Sequence, residues 1–306
     1  MTAPTTITAA PCFTTLACFG FLALEGARAI DFLQGQLTCD LRQASAGHAV
    51  SGAWCTPKGR VICSLVAWPQ AADRVILRLH GDLAESTAAQ LSKYAALSRV
   101  RIAPVALRCV GLLGADEAAF DQLELPRPAG AGDVIAIGQG AVLRADAAGL
   151  RHELWLPEDV AETWLQRLRA VLAEGTGNDW TLALVRAGIA EIRAATRELF
   201  LPQMLGYDTD ARVSFRKGCY TGQEIVARAH YKGGVKRHLQ RLLGRGQPPA
   251  PGSALERAGV SAGTIVESAA SAEGCCEVLA VIADDHATPA SDTPLLAGGL
   301  ELHLPA

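Results

Sequence analysis

The residues best suited to chemistry lie in one stretch, 214–228, which reads SFRKGCYTGQEIVAR. Cys219 sits there between two glycines, with Lys217 two residues before it and Tyr220, Thr221, Gly222, Gln223 and Glu224 directly after. Neighbouring cations favour thiolate over thiol, and the thiolate is the nucleophile and metal ligand, so Arg216 and Lys217 mark this sulfur as reactive or metal-binding. Gly218 and Gly222 make the segment poor helix and weak strand, and they let the backbone approach a ligand closely. One cysteine cannot hold a metal or cluster alone, and the other eight form no CxxC pair and lie at no local ligand spacing. No resident metal site is therefore expected. His230 and His238 could serve a cysteine nucleophile by proximity only.

Charge singles out the same region. Residues 211–245 hold nine Lys and Arg against one acid, Glu224, in a chain whose net formal charge is −3. Such a cationic band favours a polyanionic ligand, with a solvated basic face as the plain alternative. Tyr220, His230 and Tyr231 within the band favour binding, since aromatic rings add stacking surfaces. The slightly acidic whole argues against bulk nucleic-acid binding or a polybasic membrane anchor. Elsewhere, Glu191 lies in a stretch of faltering periodicity and is either a surface carboxylate or a ligand acceptor needing a hydrogen-bond partner. Arg60, with Lys58, stands where a hairpin tip could offer positive charge. The eight cysteines other than Cys219 are expected to be buried core residues in a reducing cell.

The elements that must carry these residues follow from periodicity and punctuation. A short helix follows Gly26 and closes at Gly35, and a hairpin spans 49–68 with its turn at 56–59. A strand at 75–79 leads to a helix at 83–96 capped by Asp82, then to a strand at 102–113 broken by Pro104. Strands at 134–143 and 149–156 meet at a turn around Asp146. Helices follow at 160–173, capped by Asp159, and at 180–187, capped by Asn178 or Asp179 and ended by Gly188. Short strands at 263–267, 276–282 and 300–304, after a proline-rich junction at 247–252, read as a small β-barrel. The order is α+β, and no glycine-rich phosphate loop supports a Rossmann unit. At 306 residues, half of them hydrophobic, the chain is divided into a loose tail (1–15), an α+β region (16–245, motif 214–238) and a C-terminal barrel (246–306). The N-terminus has no basic signal-like start, and the strongest apolar run, 61–68, is far below the roughly 20 residues that span a bilayer. A cytoplasmic protein is expected.

The pattern FxKGCYTGQE, met at Phe215 and at 217–224 and followed by IVARAHYKGGVKRHL, resembles the YgfZ family of folate-binding proteins. The blocks DFLQGQLTCD, GAWCTPKGRV and AGIAEIRAATRELFLPQM stand in the family's order, so the resemblance covers nearly the whole chain. It implies a fold like the glycine-cleavage T-protein, an aminomethyltransferase: two intertwined α+β domains and a C-terminal barrel around a central tetrahydrofolate site. It also implies a role in synthesis or repair of iron–sulfur proteins, including a radical enzyme that methylthiolates tRNA; a monomer is expected. Cys219 would be the functional thiol; with one cysteine at hand, any iron–sulfur cluster it met would need a site that is shared with a client or assembly factor, transient, or assembled from distant residues. On this resemblance Lys217 and Cys219 form the working loop, and Tyr220, Gly222, Gln223, Glu224 and Arg228 shape it and its cofactor contacts. Glu191, Asp40 and Arg60 complete the folate site, and the basic band holds the anionic folate tail. The sequence departs from the family at DTDARVSF, where a glycine pair commonly precedes VSF, and at Cys39, where a small or amide residue is common. Two alternatives remain: a tetrahydrofolate-dependent one-carbon transferase using Asp40 or Glu191 in proton transfer, and a tRNA-binding accessory protein using the basic band.

Overall fold

The chain is already in a sheet at its twelfth residue, inside the segment expected to be a tail. The computed structural model describes residues 10–287 and 293–305. Strand β1 (Cys12–Thr15) pairs on both edges and buries Phe13 completely, so the tail expectation fails from Cys12 onward; residues 1–9 lie outside the described residues. Strand β2 (Phe19–Glu25) leads to helix α1 (Ala29–Gln34), closed at Gly35 as its sequence implies. The expected hairpin is β3 (Val50–Cys55) and β4 (Val61–Ala71), followed by β5 (Arg74–His80). Helix α2 (Gly81–Ala95) starts one residue ahead of Asp82, with His80 at its N-cap. The Asp82 carboxylate instead faces His80 Nδ1 at 2.7 Å and accepts from the Ala194 amide at 3.0 Å, which is why it does not cap.

Where one strand was expected at 102–113 there are two. Strand β6 (Arg101–Pro104) ends at the proline on one sheet, and β7 (Leu107–Leu113) begins on another, since proline supplies no N–H to prolong a ladder. After α3 (Glu117–Gln122) the stretch 134–143 likewise divides, into β8 (Val134–Ile137) and β9 (Gly140–Arg144), and β10 (Arg151–Pro157) follows. Helix α4 (Glu158–Arg169) begins before Asp159, which sits in its first turn, and it is followed by β11 (Ala173–Glu174). Helix α5 (Gly177–Arg186) is capped by Thr176, whose side chain and that of Asp179 bond reciprocally to the backbone; the aspartate is therefore the third helical residue rather than the cap. Helix α6 (Gln223–Tyr231) was not foreseen. The last strands are β12 (Arg237–Arg245), β13 (Ala254–Arg257), β14 (Val260–Ala270), β15 (Cys275–Ala283), β16 (Leu295–Ala297) and β17 (Leu300–His303).

Two sheets form the body, with strand orders β3-β4-β5-β2-β6 and β11-β1-β7-β10-β9-β8. Side chains of both, among them Phe21, Trp68 and Trp155, share one buried cluster, and the Trp155 ring stands edge-on to Phe21 and Trp68 at 5.2 and 6.0 Å. Full burial of each such side chain contributes roughly 1.5–3 kcal/mol. The six C-terminal strands close into a barrel in the order β12-β15-β14-β13-β16-β17. Because β12 pairs with β15 from Arg237 to Arg245, the barrel starts at 237 rather than 246. It is fastened to the body by Arg186 on Glu277 and Arg193 on Glu267, each at 2.7 Å.

Candidate functional site

Cys219 is exposed, on a loop that runs into α6. That loop is held by the segment after α1. The Lys217 ammonium donates to the carbonyls of Leu37 and Cys39, both at 2.7 Å, and the residue is only 5% exposed. Burial lowers its pKa to about 8. Thr38 Oγ1 donates to the Arg212 carbonyl at 2.6 Å and accepts from the Ala53 amide, while the Thr38 carbonyl accepts from the Ser214 amide. The Thr221 amide reaches the Gly35 carbonyl at 3.3 Å. Residues 35–39 thus splice the thiol loop onto β3. Gly222 caps α6 at φ +85°, and a Cβ there would stand 2.4 Å from the Thr56 carbonyl oxygen. Gly59 meets it from the hairpin turn, so the tip with Lys58 docks on the start of α6 through two facing glycines. Ala211 adopts φ +67°, a conformation suited to glycine, in the DTDAR segment that departs from the family's glycine pair.

A second polar centre lies between the two sheets. Arg78 on β5 donates to Glu191 and to Glu153 on β10, each at 3.0 Å, and Ser64 on β4 donates to Glu191 at 2.8 Å. Burial by itself pushes the Glu191 carboxyl up, but Arg78, Arg212 and the Ser64 bond outweigh it and hold it below the ordinary range. Burial also disfavours the Arg78 cation, and the two carboxylates overturn that and raise its pKa. These groups border a cavity of about 70 Å³, also lined by Arg144, Arg151, Arg212 and Trp180. Arg78 Nε and Trp180 Nε1 are buried donors without a partner there.

No family model matches the chain. The tRNA-modifying protein YgfZ of Yersinia pseudotuberculosis serotype O:1b is 30% identical over 241 residues, covering 78% of this chain and 73% of that protein. The tRNA-modifying protein YgfZ of Photobacterium profundum is 31% identical over 290 residues, covering 87% and 82%. The chain belongs to the YgfZ family. Among solved structures, the glycine cleavage system aminomethyltransferase T from Bartonella henselae matches with a TM-score of 0.77 over 97% of this chain and 86% of that one. At 16% identity this establishes the fold, an α+β architecture of the T-protein kind with a C-terminal barrel, as the sequence implied.

Placed on this YgfZ-family fold, the residues singled out in the sequence separate into two groups. Lys217, Cys219, Tyr220 and Gly222 belong to the thiol loop, with Tyr220 buried, its hydroxyl unpartnered and its ring 5.2 Å from the Lys217 ammonium. Gln223 and Glu224 are in the first turn of α6 rather than in a loop, and Arg228 is exposed on the same helix. Glu191 belongs instead to the cavity. Arg60 donates to the Leu199 carbonyl. Asp40 is held by Arg42 at 2.7 Å and by Gln34 at 2.9 Å, and chiefly the Arg42 bond lowers its pKa far below the carboxylate range. Neither Asp40 nor Arg60 lines the cavity. Of the eight cysteines expected in the core, six are buried; Cys18, in the turn between β1 and β2, is exposed, and Cys275 is half-buried. Sequence reasoning missed Arg78, Glu153 and Trp180. A signal existed for the charged pair, since Arg78 follows VIL and Glu153 precedes LWL, apolar runs beside which a charge needs a buried partner. Among the described residues no group of three or more His, Cys, Asp or Glu converges to hold a metal ion.

Proposed function

We propose that the protein is a folate-binding factor that supports synthesis or repair of iron–sulfur proteins, tRNA-modifying enzymes among them, with Cys219 as its working thiol. The observation that carries this reading is the buried polar cavity between the sheets, with unpartnered donors beside paired carboxylates. A pterin is a flat heteroaromatic with alternating donors and acceptors. Glu191 and Glu153 offer acceptors, Arg78 Nε and Trp180 Nε1 offer donors, and Arg144 and Arg212 supply positive charge for an anionic tail. The donor set fits a folate. The cavity of about 70 Å³ is smaller than the roughly 300–1,000 Å³ of typical ligand pockets, so ring entry goes with opening of the Arg78 network. Tetrahydrofolate, when bound, supplies a carrier of one-carbon units. Lys217 acts as a positioning residue that fixes the loop, and Cys219, exposed, is available to a client or to a cluster shared with a partner.

The relatives' name, tRNA-modifying protein, supports a place for this chain near tRNA modification. A one-carbon transferase would need a free carboxylate at the folate; Asp40 is held by Arg42 and Gln34 away from the cavity, and Glu191, held by Arg78 and Ser64, passes to the pterin itself when that network opens. Titration calorimetry with tetrahydrofolate tests the reading. Wild type is expected to bind, Glu191→Gln at least tenfold more weakly, and Cys219→Ala unchanged. Cys219→Ala is expected to lower client iron–sulfur enzyme activity in cells. Absence of folate binding, or equal binding by Glu191→Gln, refutes the folate site; normal client activity in Cys219→Ala refutes the thiol's role.

A further inference from the structure

We propose that the face built by the C-terminal half of α6 and the turn after it binds single-stranded nucleic acid. Two independent features meet on it. The first is an aromatic platform. Phe215, from the irregular chain that leads into the thiol loop, stacks on His230 with centroids 3.8 Å apart and planes 18° from parallel. Tyr231 stands edge-on to both, at 5.9 Å from Phe215 and 4.8 Å from His230. Two rings thus fix a tyrosine that is 68% exposed, more than any other exposed aromatic among the described residues. A ring held in one orientation and open to solvent loses little freedom when a base stacks on it.

The second is a set of cations with no carboxylate partner among the described residues. Arg216 adjoins Phe215, Arg228 and Lys232 stand four residues apart on either side of Tyr231, and Lys236 and Arg237 follow the glycine turn; all five are exposed. Several arginines elsewhere are tied down: Arg74 and Arg101 share Glu25, and Arg169 bridges Glu162 and Glu174. The acids beside this set are Asp208, 3.7 Å from His230 Nδ1, the exposed Glu224 at the far end of α6, and Asp284, whose amide donates to the Lys236 carbonyl at 3.1 Å and whose carboxylate faces His238 Nδ1 at 2.6 Å. An anionic peptide or a folate tail would use the cations and leave the platform idle. A nucleic-acid strand uses both, phosphates on the Lys and Arg and a base on Tyr231, and the unstacked bases of a single strand are the ones a ring can reach. This inference does not rest on the folate site or on the thiol.

Fluorescence anisotropy with a labelled 12-nucleotide RNA, the same sequence as DNA, its duplex, and polyglutamate provides the test. Five phosphate contacts predict that the logarithm of affinity falls with the logarithm of salt with a slope of about −3.5 for single strands. Replacing Lys232, Lys236 and Arg237 together by alanine is expected to make that slope shallower by about 2. Tyr231→Ala is expected to weaken binding by about fivefold to a hundredfold at unchanged slope, and Tyr231→Phe to restore it. Tyr231 is exposed, so neither variant should disturb folding, which circular dichroism checks. Preference for RNA would add contacts to the 2′-hydroxyl, and equal binding of RNA and DNA would mean backbone and stacking alone; both sustain the proposal. No binding at 50 mM salt, duplex bound as tightly as single strand, polyglutamate bound as tightly as RNA, or indifference to Tyr231→Ala would overturn it.

Discussion

Replacing Lys217 by methionine should make the protein's stability respond to alkaline pH differently from wild type, and the size of that difference can be worked out. The ammonium is 5% exposed and donates to the Leu37 and Cys39 carbonyls, with its pKa lowered by burial from 10.5 to about 8. A cation whose folded pKa lies below its unfolded one is a net burden at neutral pH, fully present below about 8 and relieved as pH rises toward 10.5. The unfolded chain then binds more protons than the folded one, so stability rises with pH in that window. The neutral amine still has two N–H groups for the two carbonyls, so relief comes without loss of either bond. Between pH 7 and 9 wild type should gain about 1.4 kcal/mol relative to Lys217→Met, a tenfold change in the folding equilibrium. Urea denaturation of both proteins at the two pH values, followed by tryptophan emission, reads this directly. At pH 7 the variant also leaves two carbonyls without a donor, at roughly 1–3 kcal/mol each, so it starts less stable unless removal of the buried charge offsets that. The diagnostic quantity is the change in the gap. A wild-type advantage that fails to grow with pH would mean that the folded protein does not disfavour the ammonium, and the buried-lysine account of the thiol loop would be wrong.

Gly222→Ala forces a side chain into φ +85° and against the Thr56 carbonyl, and should cost at least roughly 1–3 kcal/mol, whereas Gly218→Ala, with nothing within 4 Å of its Cβ, should stay within about 0.5 kcal/mol; paired thermal melts compare them. Arg78→Met strands two buried carboxylates and should destabilise by roughly 3–5 kcal/mol at neutral pH. Because Glu191 titrates below its ordinary 4.5 in wild type, the contribution of the pair is full above that pH and is lost as pH falls through the depressed pKa, so denaturation curves of wild type and variant should converge on acidification. Thiol labelling of the native protein with an aromatic disulfide should modify the exposed Cys219 rapidly, Cys18 more slowly because burial raises its pKa, and leave Cys12, Cys39, Cys55, Cys63, Cys109 and Cys276 protected until unfolding; mass spectrometry of the labelled peptides would expose any other order.

Local pattern carried the hairpin at 49–68, the close of α1 at Gly35 and the barrel class, because each depends on neighbours within a few residues. The strand divisions at 104–107 and 137–140 did not show, since an apolar run looks the same whether the chain stays in one sheet, turns back or crosses to another. Helix α6 was hidden by its own entrance: the glycines that argue for loop at 218–222 include the one that caps the helix. Cap assignments failed where an aspartate had a better partner at a distance, as Asp82 has in Ala194. The thiol loop was legible because its chemistry is contiguous, and the cavity was not, because Ser64, Arg78, Glu153 and Glu191 come from four separated segments that only the packed sheets bring together.

The two centres are separate yet share one strip of chain. Arg212 lines the cavity and its carbonyl takes the Thr38 hydroxyl; Ser214 returns a bond to the Thr38 carbonyl; Lys217 then grips the carbonyls on either side, at Leu37 and Cys39. Residues 212–217 therefore connect a cavity-lining guanidinium to the thiol loop through a segment stitched along its length. Coupling between sites requires that an occupant change the energy of something both sites touch, and this strip, bonded from three of its residues to 37–39, is such an element. Opening of the Arg78 network, as the proposed folate entry requires, would move charge beside Arg212, which helps hold Glu191 ionised. If the state of the cavity sets how the thiol is presented, this strip is the route, and the buried Lys217, unfavourable in isolation, holds it between an arginine of the cavity and the exposed sulfur.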